Sequence, residues 1–185
     1  MAFYLANHTI NVTLIGDSIT SQMAARQGTF PVPFVAATNL GVSGNTTAQV
    51  LARVASIPAS TTHVVLQMGT NDLVGLGSDA LILTNYTAML NAIPSTMVVI
   101  VLGILPVDDA ALLAFYGPTY PPYLNNTQIH LQNTLISKLC NTYSNCVPAS
   151  GIMAKSMVGK TSDGIHPTAV ADIEIIKALL PLLGL

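Results

Sequence analysis

Apolar residues fall into short runs that alternate along the chain with amphipathic stretches, and several runs stop at polar turns containing glycine. Thr9 to Ile15 is β-branched and apolar and ends at Gly16-Asp17-Ser18, which predicts a buried strand running into a turn. A second short strand is expected over Phe34 to Asn39. Gly-Val-Ser-Gly follows, then a helix from about Thr46 to Ser56 with Asn45 as its N-cap and Val50, Leu51 and Val54 on one face. His63 to Met68 reads as a third strand, ending at Gly69-Thr70-Asn71-Asp72, and a helix is expected from about Asp79 to Ala92. Met97 to Leu102 is the most hydrophobic strand and is expected at the centre. Pro106 to Tyr123 is irregular and rich in proline and aromatic residues; its Phe115, Tyr116, Tyr120 and Tyr123 read either as a wall for a sugar or an acyl chain or as part of a surface loop covering the sheet edge. A polar helix is expected from about Asn126 to Thr142 and a short last strand over Cys146 to Ala149. The closing helix is expected to start at Pro167, a favoured first helical position, with Val170, Ile173, Ile176, Leu180 and Leu183 on one face.

Strands that alternate with helices and are apolar on both faces argue for a parallel sheet covered on each side. No repeat, linker or boundary interrupts the pattern, so residues 1–185 are expected to form a single domain. Gly16 to Ser18, Gly41 to Asn45 and Gly69 to Asp72 each follow a predicted strand. In an open parallel sheet the strand C-termini share one edge, where ligands bind, so the topology alone would gather these three motifs.

Composition narrows the class. The chain is 51% hydrophobic and only 8% charged, against about 25% charged in an average soluble protein. The mean hydropathy of +0.58 raises the question of a membrane. The longest apolar run, Met97 to Leu105, is too short for a bilayer, which needs about 20 residues. The expected surface is therefore rich in Asn, Thr, Ser and Gln. With little charge repulsion between copies, it leaves a homo-oligomer open. A net charge of -2 and six scattered Lys and Arg residues give no footprint for nucleic acid. The first residues lack the basic and long apolar regions of a signal peptide, which makes the cytoplasm the default expectation. Cys140 and Cys146 flank a polar turn, compatible with a local disulfide or with two half-buried thiols. The sequons at Asn7, Asn11, Asn45, Asn85 and Asn125 read as accidents of an Asn- and Thr-rich composition.

Four segments carry candidate chemistry. Ser18 sits at a strand-to-helix turn, where it is either a helix cap or a nucleophile that needs a base. Asp163-Gly164-Ile165-His166-Pro167 offers that base. An aspartate three residues upstream, across a glycine turn, can accept the imidazole N–H and fix its tautomer. The alternative is a histidine that merely precedes a helix, with Asp163 in an Asx turn. Gly44 and Asn71 can supply an oxyanion hole, one through a backbone N–H free of a Cβ and the other through its amide. Alternatively Gly44 is turn punctuation and Asn71 a cap. Asp17 and Asp72 are expected to hold loops by hydrogen bonds, and His8, His63 and His130 to be structural. No metal-ligand cluster, dinucleotide fingerprint or P-loop stands out, and Gly41 to Asn45 lacks the last glycine of a nucleophile elbow.

Taken in order, Gly16-Asp17-Ser18-Ile19-Thr20, Gly41-Val42-Ser43-Gly44-Asn45-Thr46, Gly69-Thr70-Asn71-Asp72 and Asp163-Gly164-Ile165-His166-Pro167 resemble the SGNH (GDSL-like) hydrolase superfamily block by block over nearly the whole chain. The resemblance implies a flavodoxin-like three-layer α/β/α sandwich with a central parallel sheet and no metal or organic cofactor. It puts the nucleophile on Ser18 and the acid and base on Asp163 and His166. The oxyanion hole falls on Ser18, Gly44 and Asn71. The motif style is closest to small acetyl and carbohydrate esterases, so the expected substrate is a short-chain ester, an acetylated carbohydrate first. A lysophospholipase or thioesterase for longer acyl chains is the runner-up. A catalytically idle carbohydrate-binding module of the same fold is the alternative of another class.

Overall fold

The computed structural model describes residues 10–25, 37–75, 79–118, 120, 123–153 and 156–184. Five strands form one all-parallel sheet in the order β2-β1-β3-β4-β5. They are β1 Val12–Gly16, β2 Thr38–Gly41, β3 His63–Gln67, β4 Val98–Val101 and β5 Cys146–Pro148. Eight α-helices accompany them among the described residues: α1 Ser18–Ala25, α2 Thr47–Leu51, α3 Thr70–Val74, α4 Asp79–Ala92, α5 Asp109–Tyr116, α6 Asn126–Cys140, α7 Ser150–Met153 and α8 Ala169–Leu179.

Side chains on successive strand residues point to opposite faces, so a strand buried on both sides feeds two cores. Ile15, Val64, Leu66, Val99 and Val101 pack with Val50 of α2, Ile82, Tyr86 and Met89 of α4, and Ile129 and Ile136 of α6. Leu14, Val65 and Ile100 pack on the other face with Ile19 and Met23 of α1 and Ile175, Ile176 and Leu179 of α8. The result is the expected α/β/α sandwich.

Several expectations are corrected in detail. The second strand is Thr38–Gly41, because pairing of Thr13 with Thr38 and Gly16 with Gly41 sets its register. Residues 34–36 of the expected strand lie outside the described residues. The helix after Gly44 is capped by Thr46, not Asn45: Thr46 accepts from Gln49 N while the Gln49 side chain accepts from Thr46 N, a complete capping box. It ends at Leu51, and a 3-10 turn over Val54–Ser56 follows. The stretch 106–123 is not wholly irregular, since α5 lies within it, capped by the Asp108 side chain. The last helix starts at Ala169 behind Thr168, whose side chain accepts from Ala171 N; Pro167 precedes it. Its buried face runs through Ala171, Ile175, Ile176 and Leu179, with Val170 turned to solvent. Cys140 and Cys146 form a disulfide across the turn from α6 to β5. No helix among the described residues is long and apolar enough to cross a membrane.

Candidate active site

The sheet order reverses between β1 and β3, and the candidate residues emerge at the C-terminal ends of the strands around that point. Ser18 opens α1 two residues after β1. Gly44 and Asn45 follow β2, and Asn71 lies in the first turn of α3 just after β3. Asp163 and His166 lie between β5 and α8.

Ser18 Oγ is 2.9 Å from His166 Nε2, and His166 Nδ1 is 2.6 Å from Asp163 Oδ2. Ser18 is 9% exposed, and the His166 and Asp163 side chains are 23% and 12% exposed. Burial opposes ionisation of Asp163. It is outweighed by hydrogen bonds from the His166 backbone N–H, the His166 ring and the Ile165 N–H, which hold the carboxyl below its ordinary range. An ionised Asp163 only accepts, so the imidazole donates to it from Nδ1, and in the neutral ring that tautomer makes Nε2 the acceptor for the Ser18 hydroxyl. The two sequence readings of Asp163 are both realised, on different oxygens. Oδ1 closes a turn by accepting from Ile165 N at 2.9 Å and His166 N at 2.8 Å, while Oδ2 meets the imidazole.

The turn demands its glycine. Gly164 has φ +94°, and a Cβ there would collide with the backbone of Leu112 in α5. Close contact between that turn and α5 is thus built into the sequence.

The second candidate loop is tied to the first. Val42 N donates to Gly16 O at 3.1 Å, and Asn45 N closes a turn on Val42 O at 3.2 Å with Gly44 at φ +79° between them. A Cβ on Gly44 would meet nothing within 4 Å, so the requirement there is conformational and not one of space. Asn71 does not cap α3, whose N-cap is Gly69. Its amide instead donates one hydrogen to Asn45 O at 3.0 Å, which orients the group and leaves its second hydrogen for another acceptor. Ser18, in the first turn of α1, contributes a backbone N–H from a position with no intrahelical acceptor.

Asp17 and Asp72 hold loops, as expected. Asp17 is fully buried and accepts from Ile19 N at 3.0 Å. Burial, aided by the nearby Asp72 carboxylate, pushes its carboxyl up to about 7 against the backbone N–H groups that favour its charge. His63 pairs with the Thr62 hydroxyl and His130 is exposed on α6; His8 lies outside the described residues.

Two contacts are not announced by the sequence pattern, those of Arg53 and the one that Tyr116 makes with Asp163. Arg53 reaches from the end of the α2 segment to Asn45 Oδ1 at 3.0 Å, Leu40 O at 2.7 Å and Gly16 O at 3.2 Å, clamping two strand ends and the Gly44 loop together. Backbone carbonyls carry no sequence signal, so nothing in the pattern announced it. Tyr116, at the end of α5, places its hydroxyl 3.2 Å from Asp163 Oδ2 and its ring against Phe115 and Tyr120. A cleft of about 800 Å³ between the start of α5, α6 and the 156–158 turn is lined by none of Ser18, Gly44, Asn71, Asp163 or His166.

The comparisons agree with this architecture. The model of the GDSL-like Lipase/Acylhydrolase family matches residues 14–171. No curated protein matches the sequence. A structure from Streptococcus pneumonia, provisionally named a platelet activating factor, is 20% identical with a TM-score of 0.80, covering 97% of this chain and 86% of that one. A GDSL-like lipase from Bacteroides thetaiotaomicron is 22% identical with a TM-score of 0.73, covering 97% and 91%. A catalytic mutant of an acetylxylan esterase from Geobacillus stearothermophilus is 13% identical with a TM-score of 0.67, covering 95% and 94%. At such identities the structural likeness speaks for the fold.

Proposed function

The chain belongs to the GDSL-like lipase/acylhydrolase family and is a carboxylic ester hydrolase, and on that premise we propose that it removes short acyl groups, acetyl first, from carbohydrate hydroxyls through a Ser18-His166-Asp163 triad. The observation that carries this reading is the unbroken hydrogen-bonded chain from Ser18 Oγ through the imidazole to Asp163. His166 Nε2 takes the Ser18 proton as Oγ attacks the ester carbonyl. The resulting imidazolium is stabilised by Asp163, and the oxyanion accepts from the N–H groups of Ser18 and Gly44 and the amide of Asn71. His166 then protonates the departing sugar oxygen, leaving an acetyl group on Ser18. Water, deprotonated by the same imidazole, attacks that ester; acetate leaves and the proton returns to Ser18 Oγ.

The preference for an acetylated sugar is supported by the exposed aromatic side chains Phe115, Tyr116 and Tyr123 on and after α5, which offer flat surfaces to a pyranose. An acetylxylan esterase also has this fold. The Cys140–Cys146 disulfide favours work in an oxidising compartment over the cytoplasm. Hydrolysis of p-nitrophenyl esters from acetate to palmitate, by wild type and Ser18→Ala, tests the proposal. Activity confined to the shortest esters and lost in the variant supports it. A maximum at long chains moves the substrate to lipids or acyl thioesters, a reading that the exposed Leu113 and Phe115 would then serve.

A further inference from the structure

We propose that Tyr116 is a positioning residue of the hydrolytic centre, joining the aromatic wall beside the site to the carboxylate that holds the base. The inference rests on the triad proposed above. The Tyr116 hydroxyl donates to Asp163 Oδ2, the same oxygen that takes the imidazole N–H of His166. With the two backbone donors on Oδ1, the carboxylate has four donors among the described residues, and three of them come from its own turn. Tyr116 is the one that arrives from another element.

The placement of that hydroxyl is built into α5. Asp108, Leu112 and Tyr116 are four residues apart, so they lie along one face of the segment. All three meet the loop that carries Asp163 and His166. Asp108 N donates to Gly164 O at 2.9 Å, and its carboxylate accepts from Gly159 N at 2.8 Å. Leu112 packs where Gly164 has no side chain. Tyr116 closes the row on Asp163 itself. Its ring is steadied by Tyr120 at 4.8 Å and Phe115 at 4.9 Å between centroids, yet 40% of Tyr116 and 66% of Phe115 remain exposed. Among the described residues the buried Tyr120 hydroxyl has no hydrogen-bond partner. Among the described residues Tyr116, Tyr120 and His166 are the titratable groups that face Asp163, and Asp108 grips the same loop through Gly159.

A second donor on Oδ2 draws density away from the bond to the imidazole. Asp163 then has less to give to an imidazolium than it would without the tyrosine. Removing the hydroxyl while keeping the ring reverses this. Tyr116→Phe is expected to raise the acid-limb pKa of kcat/KM on p-nitrophenyl acetate by about half a unit, the share of one long charge-assisted hydrogen bond transmitted through Asp163. Tyr116→Leu is expected to show the same displacement together with a several-fold higher KM for an acetylated sugar, because the ring is lost too. NMR titration of the His166 ring in Ser18→Ala, with and without Tyr116→Phe, reads the same effect without turnover. A Tyr116→Phe, Tyr120→Phe double variant checks that Tyr120 has not taken over the bond. Superimposable pH profiles and titrations across wild type and both phenylalanine variants would overturn the role of Tyr116. A wild-type enzyme inert toward every ester, with the ring titration still displaced, would overturn the triad reading and leave the Tyr116–Asp163 coupling standing.

Discussion

Asp72 accepts two hydrogen bonds from a single residue, taking the backbone N–H of Thr47 at 2.8 Å and its hydroxyl at 2.6 Å. Both residues are buried, and Asn85 of α4 donates to the Thr47 hydroxyl at 2.8 Å. This pair fastens the start of α3, which carries Asn71, to the start of α2, which follows Gly44. Asn71 and Gly44 are thereby held relative to each other by a residue beside each of them.

That arrangement separates two effects by experiment. Asp72→Ala would leave a buried N–H and a buried hydroxyl short of an acceptor, at about 3 kcal/mol of stability. Asn71→Ala removes a partly exposed amide and is expected to leave the melting temperature close to wild type while lowering kcat about a hundred- to a thousandfold, as loss of one oxyanion donor does elsewhere. Thermal denaturation and ester hydrolysis on the two variants check the contrast.

Arg53 is expected to resist conservative replacement. Its guanidinium serves three acceptors on three segments, and a lysine ammonium on a flexible stem cannot match that planar fork. Arg53→Lys should lower kcat several-fold by loosening the Gly44 loop, and Arg53→Ala should cost about 2 kcal/mol, measured by denaturant unfolding.

Asp17 makes stability depend on pH in an unusual direction. Its folded value of about 7 lies above the ordinary 3.8. Between those values the folded state keeps the proton that the unfolded chain releases, so this group's contribution falls as pH rises from about 4 to 7. Asp163, held below its ordinary range, acts oppositely, its contribution being lost as pH falls through its folded value. Asp17→Asn keeps an acceptor for Ile19 N and removes the titration. Its melting temperature is therefore expected to fall less than that of wild type between pH 5 and 8.

The disulfide closes a short loop, and its removal is expected to cost about 2 kcal/mol. Dithiothreitol should lower the melting temperature of wild type and leave the Cys140→Ser, Cys146→Ser double variant unmoved, with ester hydrolysis below the transition retained in both.

Much of this molecule could be read from the order of its residues, for identifiable reasons. The interior strands β3 and β4 were legible because Val64 to Leu66 and Val98 to Val101 are apolar on both faces, although the centre of the sheet is β3 and not β4, the strand expected there. The gathering of the segments that carry Ser18, Gly44 and Asn71 followed from strand ends sharing one edge, whereas His166 reaches Ser18 from the loop before α8. Less legible was β2, an edge strand reading Thr-Asn-Leu-Gly, whose position is set by its pairing with β1 and not by its own hydrophobicity. Helix α5 is bounded by an aspartate N-cap and a glycine stop, yet its pattern hides it. Its eight residues are nearly all apolar and show no period, since only Leu112 is buried. With the segment read as irregular, Tyr116 is legible as part of an aromatic wall but not as the side chain that approaches Asp163 from outside its own loop.

The central claim is that Ser18 is a nucleophile activated by His166, and covalent labelling tests it most directly. Incubated with a fluorophosphonate and weighed intact, the wild type is expected to gain one adduct, mapped by peptide sequencing to Ser18. His166→Ala should label far more slowly, and Ser18→Ala not at all, with turnover reduced on the order of a millionfold in each. A folded wild type that gains no adduct, or a Ser18→Ala variant that labels as fast as wild type, would contradict the account.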